Sequence, residues 1–180
     1  MSILRTARLI LRELNTGDAE FMLALLNDPD FIRHVGDRGV RTLEAAREYI
    51  VKGPMQSYAR NGFGLYMVEL RETRAKLGIC GLVRREQLTD IDIGFGFLPE
   101  YRSQGYAIEA AAAIMAQAQD ELGLDRVVAI TSQENDRSGN VLRKLGFAFE
   151  RLIKLPGEEK EIRLFGWSPE RPRAASSERA

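Results

Sequence analysis

Pro99-Glu100-Tyr101-Arg102-Ser103-Gln104-Gly105-Tyr106-Ala107 joins an apolar segment, residues 91–98, to an alanine-rich one, residues 104–122. In the second segment Ala107, Ala110, Ala111, Ile114, Met115, Ala118 and Leu122 recur at the three- and four-residue spacing of a helix face, and Gly123 supplies the stop. So much alanine on the inner face lets this helix lie close to a sheet. The first turn of any helix has backbone N–H groups without intrahelical acceptors, at the positive end of the dipole. Gly105 and Ala107 leave the approach to those groups open, and Arg102 adds positive charge. The stretch reads either as a strand-to-helix junction that cradles a diphosphate or as a tight turn with a glycine where the backbone needs one. It is not a Walker loop, since no Gly-Lys-Ser/Thr follows, and it lacks the three spaced glycines of the dinucleotide fingerprint.

Upstream, residues 64–70, 76–84 and 90–98 alternate with short polar turns and suggest an antiparallel meander. Downstream, residues 126–131 form a strand reached after one helix, which makes it parallel to the strand at 90–98. Asn135 or Asp136 caps a short helix that runs through Lys144 and stops at Gly146, and residues 147–153 and 161–167 make a final strand pair. At the other end, residues 7–14 read as a strand. A helix then begins at Thr16, carries the stripe Phe21, Met22, Leu25 and Leu26, and ends at Asn27-Asp28-Pro29-Asp30. Residues 31–41 look irregular. Thr42 caps a second helix reaching about Arg60, which Gly53-Pro54 should break or kink. The sum is an α/β fold of the α+β kind: a mixed, mostly antiparallel twisted sheet of about seven strands flanked by about four helices. Where the two parallel strands diverge they leave a cleft suited to a ligand. Residues 1–167 are expected to form a single domain, and the polar, proline-containing residues 168–180 a disordered tail.

The chain has 180 residues, 44% hydrophobic and 29% charged, enough for one well-filled core. Lys+Arg and Asp+Glu are 26 each, so zero net charge argues against bulk binding to nucleic acid or an acidic membrane. Cys80 is the single cysteine and His34 the single histidine, too few for an internal disulfide or the usual zinc site. The apolar run at residues 9–11 is bracketed by Arg8 and Arg12 and lacks the core of an export signal, and nothing approaches the ~20 apolar residues of a membrane span. A cytoplasmic protein, monomeric or homodimeric, is expected.

The order of elements resembles that of the GNAT N-acetyltransferases. Arg102-Ser103-Gln104-Gly105-Tyr106-Ala107 is similar to that superfamily's Arg/Gln-x-x-Gly-x-Gly/Ala signature for acetyl-CoA. Residues 6–12 (Thr-Ala-Arg-Leu-Ile-Leu-Arg), residues 105–110 (Gly-Tyr-Ala-Ile-Glu-Ala), and Asn135-x-x-Ser138 followed by Lys144-Leu145-Gly146-Phe147 resemble the RimJ/RimL-type branch, the ribosomal-protein alanine acetyltransferases. The resemblance covers about residues 5–167. It implies acetyl-CoA as donor, a primary amine as acceptor (a protein N-terminus or a small molecule), and no metal. It places Phe97 and Leu98 beside the pantetheine arm. The diphosphate falls on the amides of Ser103, Gln104, Gly105, Tyr106 and Ala107, with Asn135 and Ser138 flanking the thioester end.

Acetyl transfer to an amine requires a deprotonated nitrogen, a hydrogen-bond donor to the thioester oxygen and a tolerable leaving group. A free α-amine, with a pKa of about 8, is more easily deprotonated than a lysine at about 10.4. Asp92, expected near the middle of the thioester-bearing strand, is the first candidate for the base, directly or through water. Glu134 is its rival. The backbone N–H of Leu98 is the expected oxyanion donor. Many relatives carry a tyrosine acid seven residues after the asparagine of the short helix. Here that position is Leu142, which leaves Ser138 as the available hydroxyl. His34 and Arg33, in the stretch that shapes the acceptor pocket of the family, are the candidate acceptor contacts. Glu109 is expected to bond a nearby loop, and Cys80 to be a buried small hydrophobe. A catalytically idle acyl-CoA-binding domain is the alternative from another class. A phosphate-binding module for another nucleotide is a third.

Overall fold

The computed structural model describes residues 3–169; residues 1–2 and 170–180, and with them most of the expected C-terminal tail, lie outside the described residues. The chain runs β1 (Ile3–Arg5), β2 (Leu9–Glu13), a 3₁₀ turn (Thr16–Asp18), α1 (Ala19–Leu26), α2 (Pro29–Val35), α3 (Leu43–Ile50), a π turn (Val51–Met55) and α4 (Gln56–Asn61). It continues with β3 (Leu65–Leu70), β4 (Lys76–Val83), β5 (Asp92–Phe97), α5 (Tyr106–Asp120), β6 (Val127–Ser132), α6 (Asp136–Lys144), β7 (Ala148–Lys154) and β8 (Glu161–Trp167). Among the described residues eight strands form one sheet in the order β1-β2-β3-β4-β5-β6-β8-β7. All neighbours are antiparallel except β5 and β6, which are parallel and registered only at Asp92 opposite Val128.

The meander, the alanine-rich helix and the parallel return strand follow the sequence pattern. Three features depart from it. The sheet has eight strands, the extra one being the short edge strand β1. Residues 29–35 are helical rather than irregular: the Asp28 carboxylate accepts from the Phe31 N–H at 3.0 Å and Pro29 occupies the first turn. The Asn-Asp-Pro-Asp motif thus ends one helix and starts the next. Gly53-Pro54 does not break the helix after Thr42; a single π turn absorbs the proline between α3 and α4.

Hydrophobic side chains cover both faces of the sheet. Against one face α5 packs Ala110, Ala111, Ile114 and Ala118 onto Leu9, Leu11, Val68, Leu77 and Phe165, all buried. Against the other, Met22, Leu25 and Leu26 of α1 and Ala46 and Ile50 of α3 pack on Met67 and Ile79. Cys80 is fully buried, as a small hydrophobe would be, and burial pushes its thiol well above its ordinary range.

A charged cluster closes the β2–β4 edge of the second face. Asp18 accepts from Arg12 Nη1 and Nη2 at 2.9 and 2.8 Å and pairs with Lys76 at 2.7 Å, while Arg12 also reaches Glu69 at 2.7 Å. Burial alone would raise the Asp18 carboxyl. The hydrogen bonds from Arg12, Lys76 and the Asn15 N–H outweigh it and hold the group at about 2, below its ordinary 3.8. Because the folded value lies below the unfolded one, the contribution is present above the ordinary carboxylate range and is lost as pH falls toward the folded value. Asp18→Asn is expected to cost about 1–2 kcal/mol at neutral pH. In urea titrations its gap from the wild type should close as the pH is lowered through that range.

Candidate active site

The parallel pair makes the cleft. Leu98 N–H donates to Leu77 O at 3.0 Å, toward β4, and Val128 N–H donates to Ile91 O at 3.0 Å. Backbone groups alternate sides along a strand, so the N–H and C=O of Phe95 and Phe97 point toward β6. Beyond the Asp92–Val128 level no β6 residue pairs with them. The Phe97 carbonyl accepts from Arg102 Nε at 3.0 Å. The Phe95 N–H and C=O and the Phe97 N–H remain as an unpaired strand edge inside the cleft.

That edge leads to the α5 junction. Ser103 (φ 59°) and Gly105 (φ 81°) both adopt the left-handed conformation, and no side chain caps the helix. The first-turn N–H groups of Tyr106, Ala107 and Ile108 therefore face outward without intrahelical acceptors, a backbone concavity suited to an anion. A Cβ at Gly105 would lie 3.2 Å from Arg8 Nη2. Arg8 is held there by Glu109, through Nε at 2.7 Å and its own N–H at 2.8 Å, and by the Gln104 carbonyl at 3.1 Å; it lies 4.5 Å over the Tyr106 ring. Glu109 also accepts from Thr6 Oγ1 at 2.6 Å, so it does bond a neighbouring loop. Arg8 is a cation at the cradle that the sequence reading did not single out.

Arg102 has a different task from the one expected. Besides Phe97 O, it donates to Asp28 Oδ2 at 2.6 Å and to Asp30 Oδ2 at 2.7 Å. Two carboxylates offset its charge, and it staples α2 to the loop instead of offering free positive charge. The Leu98 expectation is corrected too: its N–H is consumed by Leu77, so it cannot donate to a thioester, and the free donors sit at Phe95 and Phe97.

Two cavities meet at this edge. The smaller, about 330 Å³, lies between the α5 junction and α6 and is lined by Arg102, Ser103, Gly105, Tyr106, Ala107, Arg137, Asn140 and Lys144, among others. The larger, about 1130 Å³, lies under α2 along β5 and β6 and includes Tyr49, Leu65, Arg85, Asp92, Gly94 and Glu134. Phe31, His34, Val35, Phe95, Asn135 and Ser138 line both and mark the junction. Gln104 does not line either cavity; its side chain bonds the Glu100 carbonyl at 2.7 Å. Asn135 caps α6, its Oδ1 accepting from Ser138 N–H at 3.1 Å. Leu142, in the place of the family's tyrosine, is buried and carries no hydroxyl.

Asp92 begins β5 instead of lying in its middle. It is 1% exposed, and both its oxygens lie 3.1 Å from Arg85 Nε. Burial raises its carboxyl above the usual range, against the opposing pull of Arg85. Gly94, on the same face one step nearer the junction, leaves the floor open: a Cβ there would find only Leu65 and Val83, at 3.8 and 3.9 Å. Glu134, the rival base, is exposed and paired with Arg33 at 2.8 Å, and that arginine lowers its carboxyl. His34 Nδ1 lies 2.9 Å from Ser132 Oγ, which ties α2 to the end of β6. Among the described residues no cluster of three or more His, Cys, Asp or Glu is placed to hold a metal ion, and no helix is long and apolar enough to cross a membrane.

An open parallel pair, an uncapped helix start and two adjoining cavities thus meet at one cleft. The family model described as an acetyltransferase (GNAT) domain matches residues 8–148, and the chain belongs to the GNAT acetyltransferases. It is 28% identical to the uncharacterized N-acetyltransferase YoaA of Bacillus subtilis over 153 residues, 84% of this chain and 86% of that one. It shares its fold with an acetyltransferase from Agrobacterium tumefaciens (24% identity, TM-score 0.79, 93% and 94% of the two chains). It shares it also with RimL, a ribosomal L7/L12 alpha-N-protein acetyltransferase solved with coenzyme A (16% identity, TM-score 0.80, 93% and 98% of the two chains). The protein is an acetyltransferase enzyme of a family that uses acetyl-CoA.

Proposed function

We propose that this protein moves the acetyl group of acetyl-CoA directly to a primary amine in a ternary complex, in the cytoplasm. The observation that carries the reading is the continuity of the unpaired Phe95–Phe97 edge with the unpartnered amides at the start of α5. A pantetheine arm has amide groups that can extend the sheet along that edge. Its diphosphate would reach the first turn of α5, beside Ser103, Gly105, Tyr106, Ala107 and Arg8. Arg137 and Lys144, on the α6 side of the smaller cavity, offer further positive charge.

The amine enters from the larger cavity past His34 and Arg33. Asp92 takes its proton through water across the open floor at Gly94. A raised carboxyl pKa suits that role, since the best base titrates near the working pH. The nitrogen lone pair attacks the thioester carbon, and the Phe95 N–H donates to the oxygen as negative charge develops. The N–C bond forms, the C–S bond breaks, and the second proton of the attacking nitrogen passes to the departing thiolate through the Ser138 hydroxyl, which gives one proton and regains another. A coenzyme A thiolate is a fair leaving group, so Ser138→Ala is expected to lower kcat only about tenfold, the size of one hydrogen bond. The direct test is release of coenzyme A across a panel of amines. Amine-dependent release supports the reading, and tight acetyl-CoA binding with no release for any amine defeats it.

A further inference from the structure

The larger cavity differs in charge along β5 and β6. At the Ser132 end, Glu161 at the start of β8 and Glu158 and Glu159 of the β7–β8 connection line it, together with Lys160. Ser132 lies four residues beyond Val128, about 13 Å along the strand. At the Val128 level Arg85 lies against Asp92 as a neutral pair, and hydrogen-bond donors of the guanidinium replace the carboxylates of the other end. The Arg85 side chain is 26% exposed and lines the cavity. Only its Nε is engaged, by the two Asp92 oxygens; Nη1 and Nη2 have no protein partner among the described residues. A guanidinium presents its donors as a rigid planar fork that matches a carboxylate. Clamping Nε on a buried aspartate fixes the plane of that fork and leaves its outer edge free. Arg38, exposed and likewise without a partner, lines the same cavity and keeps it hospitable to an anion.

We infer that Arg85 determines acceptor specificity by receiving a carboxylate on the amine substrate, so that the acceptors are amino-carboxylates: amino acids, or short peptides with free ends. The glutamate-lined end attracts the ammonium form as it enters, and with the carboxylate seated on Arg85 the amine lies on the Asp92–Gly94 side of the cavity. The inference rests on the acetyltransferase reading above and adds the substrate class. Asp92 then has two tasks, proton acceptor and clamp, whereas Arg85 is a binding residue only.

The test compares kcat/KM for L-amino acids and for di- and tripeptides, each as the free acid and as the carboxamide, with acetyl-CoA binding measured in parallel by calorimetry. The wild type should prefer the acid of its best acceptor by about tenfold or more, the size of a charge-assisted hydrogen bond. Arg85→Gln should erase that preference through KM while binding acetyl-CoA normally, and Arg85→Lys should restore part of it. A best substrate among the free amino acids or among the tripeptides supports the inference equally and reports how far the carboxylate lies from the amine. A merely structural role, or one confined to tuning Asp92, would depress acids and amides alike. Equal rates for acids and amides in the wild type overturn the substrate class and leave the acetyltransferase reading standing. Normal acetyl-CoA binding with no amine turned over overturns both.

Discussion

Gly105→Asp is expected to weaken acetyl-CoA binding by about 100-fold or more, since like charges brought together at an interface cost several kcal/mol. The glycine sits at φ 81°, where an L side chain is strained, and its missing Cβ would stand 3.2 Å from Arg8 Nη2. An aspartate there puts a carboxylate at the mouth of the α5 first turn and draws Arg8 onto itself, removing the local positive charge in the same step. Gly105→Asn separates charge from strain: asparagine tolerates the left-handed conformation and has the same size, so it should lie between wild type and aspartate. Calorimetric titration of all three with acetyl-CoA, with thermal melting as the folding control, reads the effect. Binding by the folded aspartate variant within threefold of wild type, about 0.7 kcal/mol, would remove the diphosphate from this junction.

Asp92→Asn is expected to lower kcat by about 100- to 1000-fold, the usual scale for losing a general base, with acetyl-CoA affinity unchanged. Asparagine keeps the shape and can still face Arg85, but it cannot accept the proton. Only the unprotonated carboxylate acts, so wild-type kcat/KM should fall as pH is lowered through the Asp92 pKa. That limb lies above the ordinary aspartate value of about 3.9, because burial raises the group. The variant should lack the limb and keep only the rise due to deprotonation of the amine. An asparagine variant with near-normal kcat and an unchanged limb would move the base to another group, and His34, at the junction of the two cavities, is the next in reach.

What was legible in the sequence was local. The meander β3–β5 and helix α5 follow from polar turns and alanine spacing, and the open start of α5 follows from the glycine before it. Helix α2 was hidden because it is two turns long, buries only Phe31, and begins at a motif that equally well ends α1. The pairing of Arg102 was hidden because its two carboxylate partners lie 72 and 74 residues upstream. Arg8 reaches the cradle through Glu109, 101 residues away, a contact no spacing rule anticipates. The Leu98 assignment failed by a single residue: which amides face the cleft depends on strand register, and a one-residue shift reverses the side on which every backbone group points. Asp92 and Arg85 are close in sequence, but a turn separates them, and their clamp depends on β4 and β5 pairing Val83 with Asp92.

The most direct test of the central claim is NMR-detected amide hydrogen exchange with and without acetyl-CoA. The account predicts that acetyl-CoA protects two separate groups of amides together, Phe95 and Phe97 on the open strand edge and those at the start of α5 from Ser103 to Ile108, and leaves Leu98 unchanged because its N–H is already bonded to Leu77. Protection at neither group, or at the α5 start alone with the strand edge still exchanging freely, would contradict a cofactor lying as an added strand between β5 and β6.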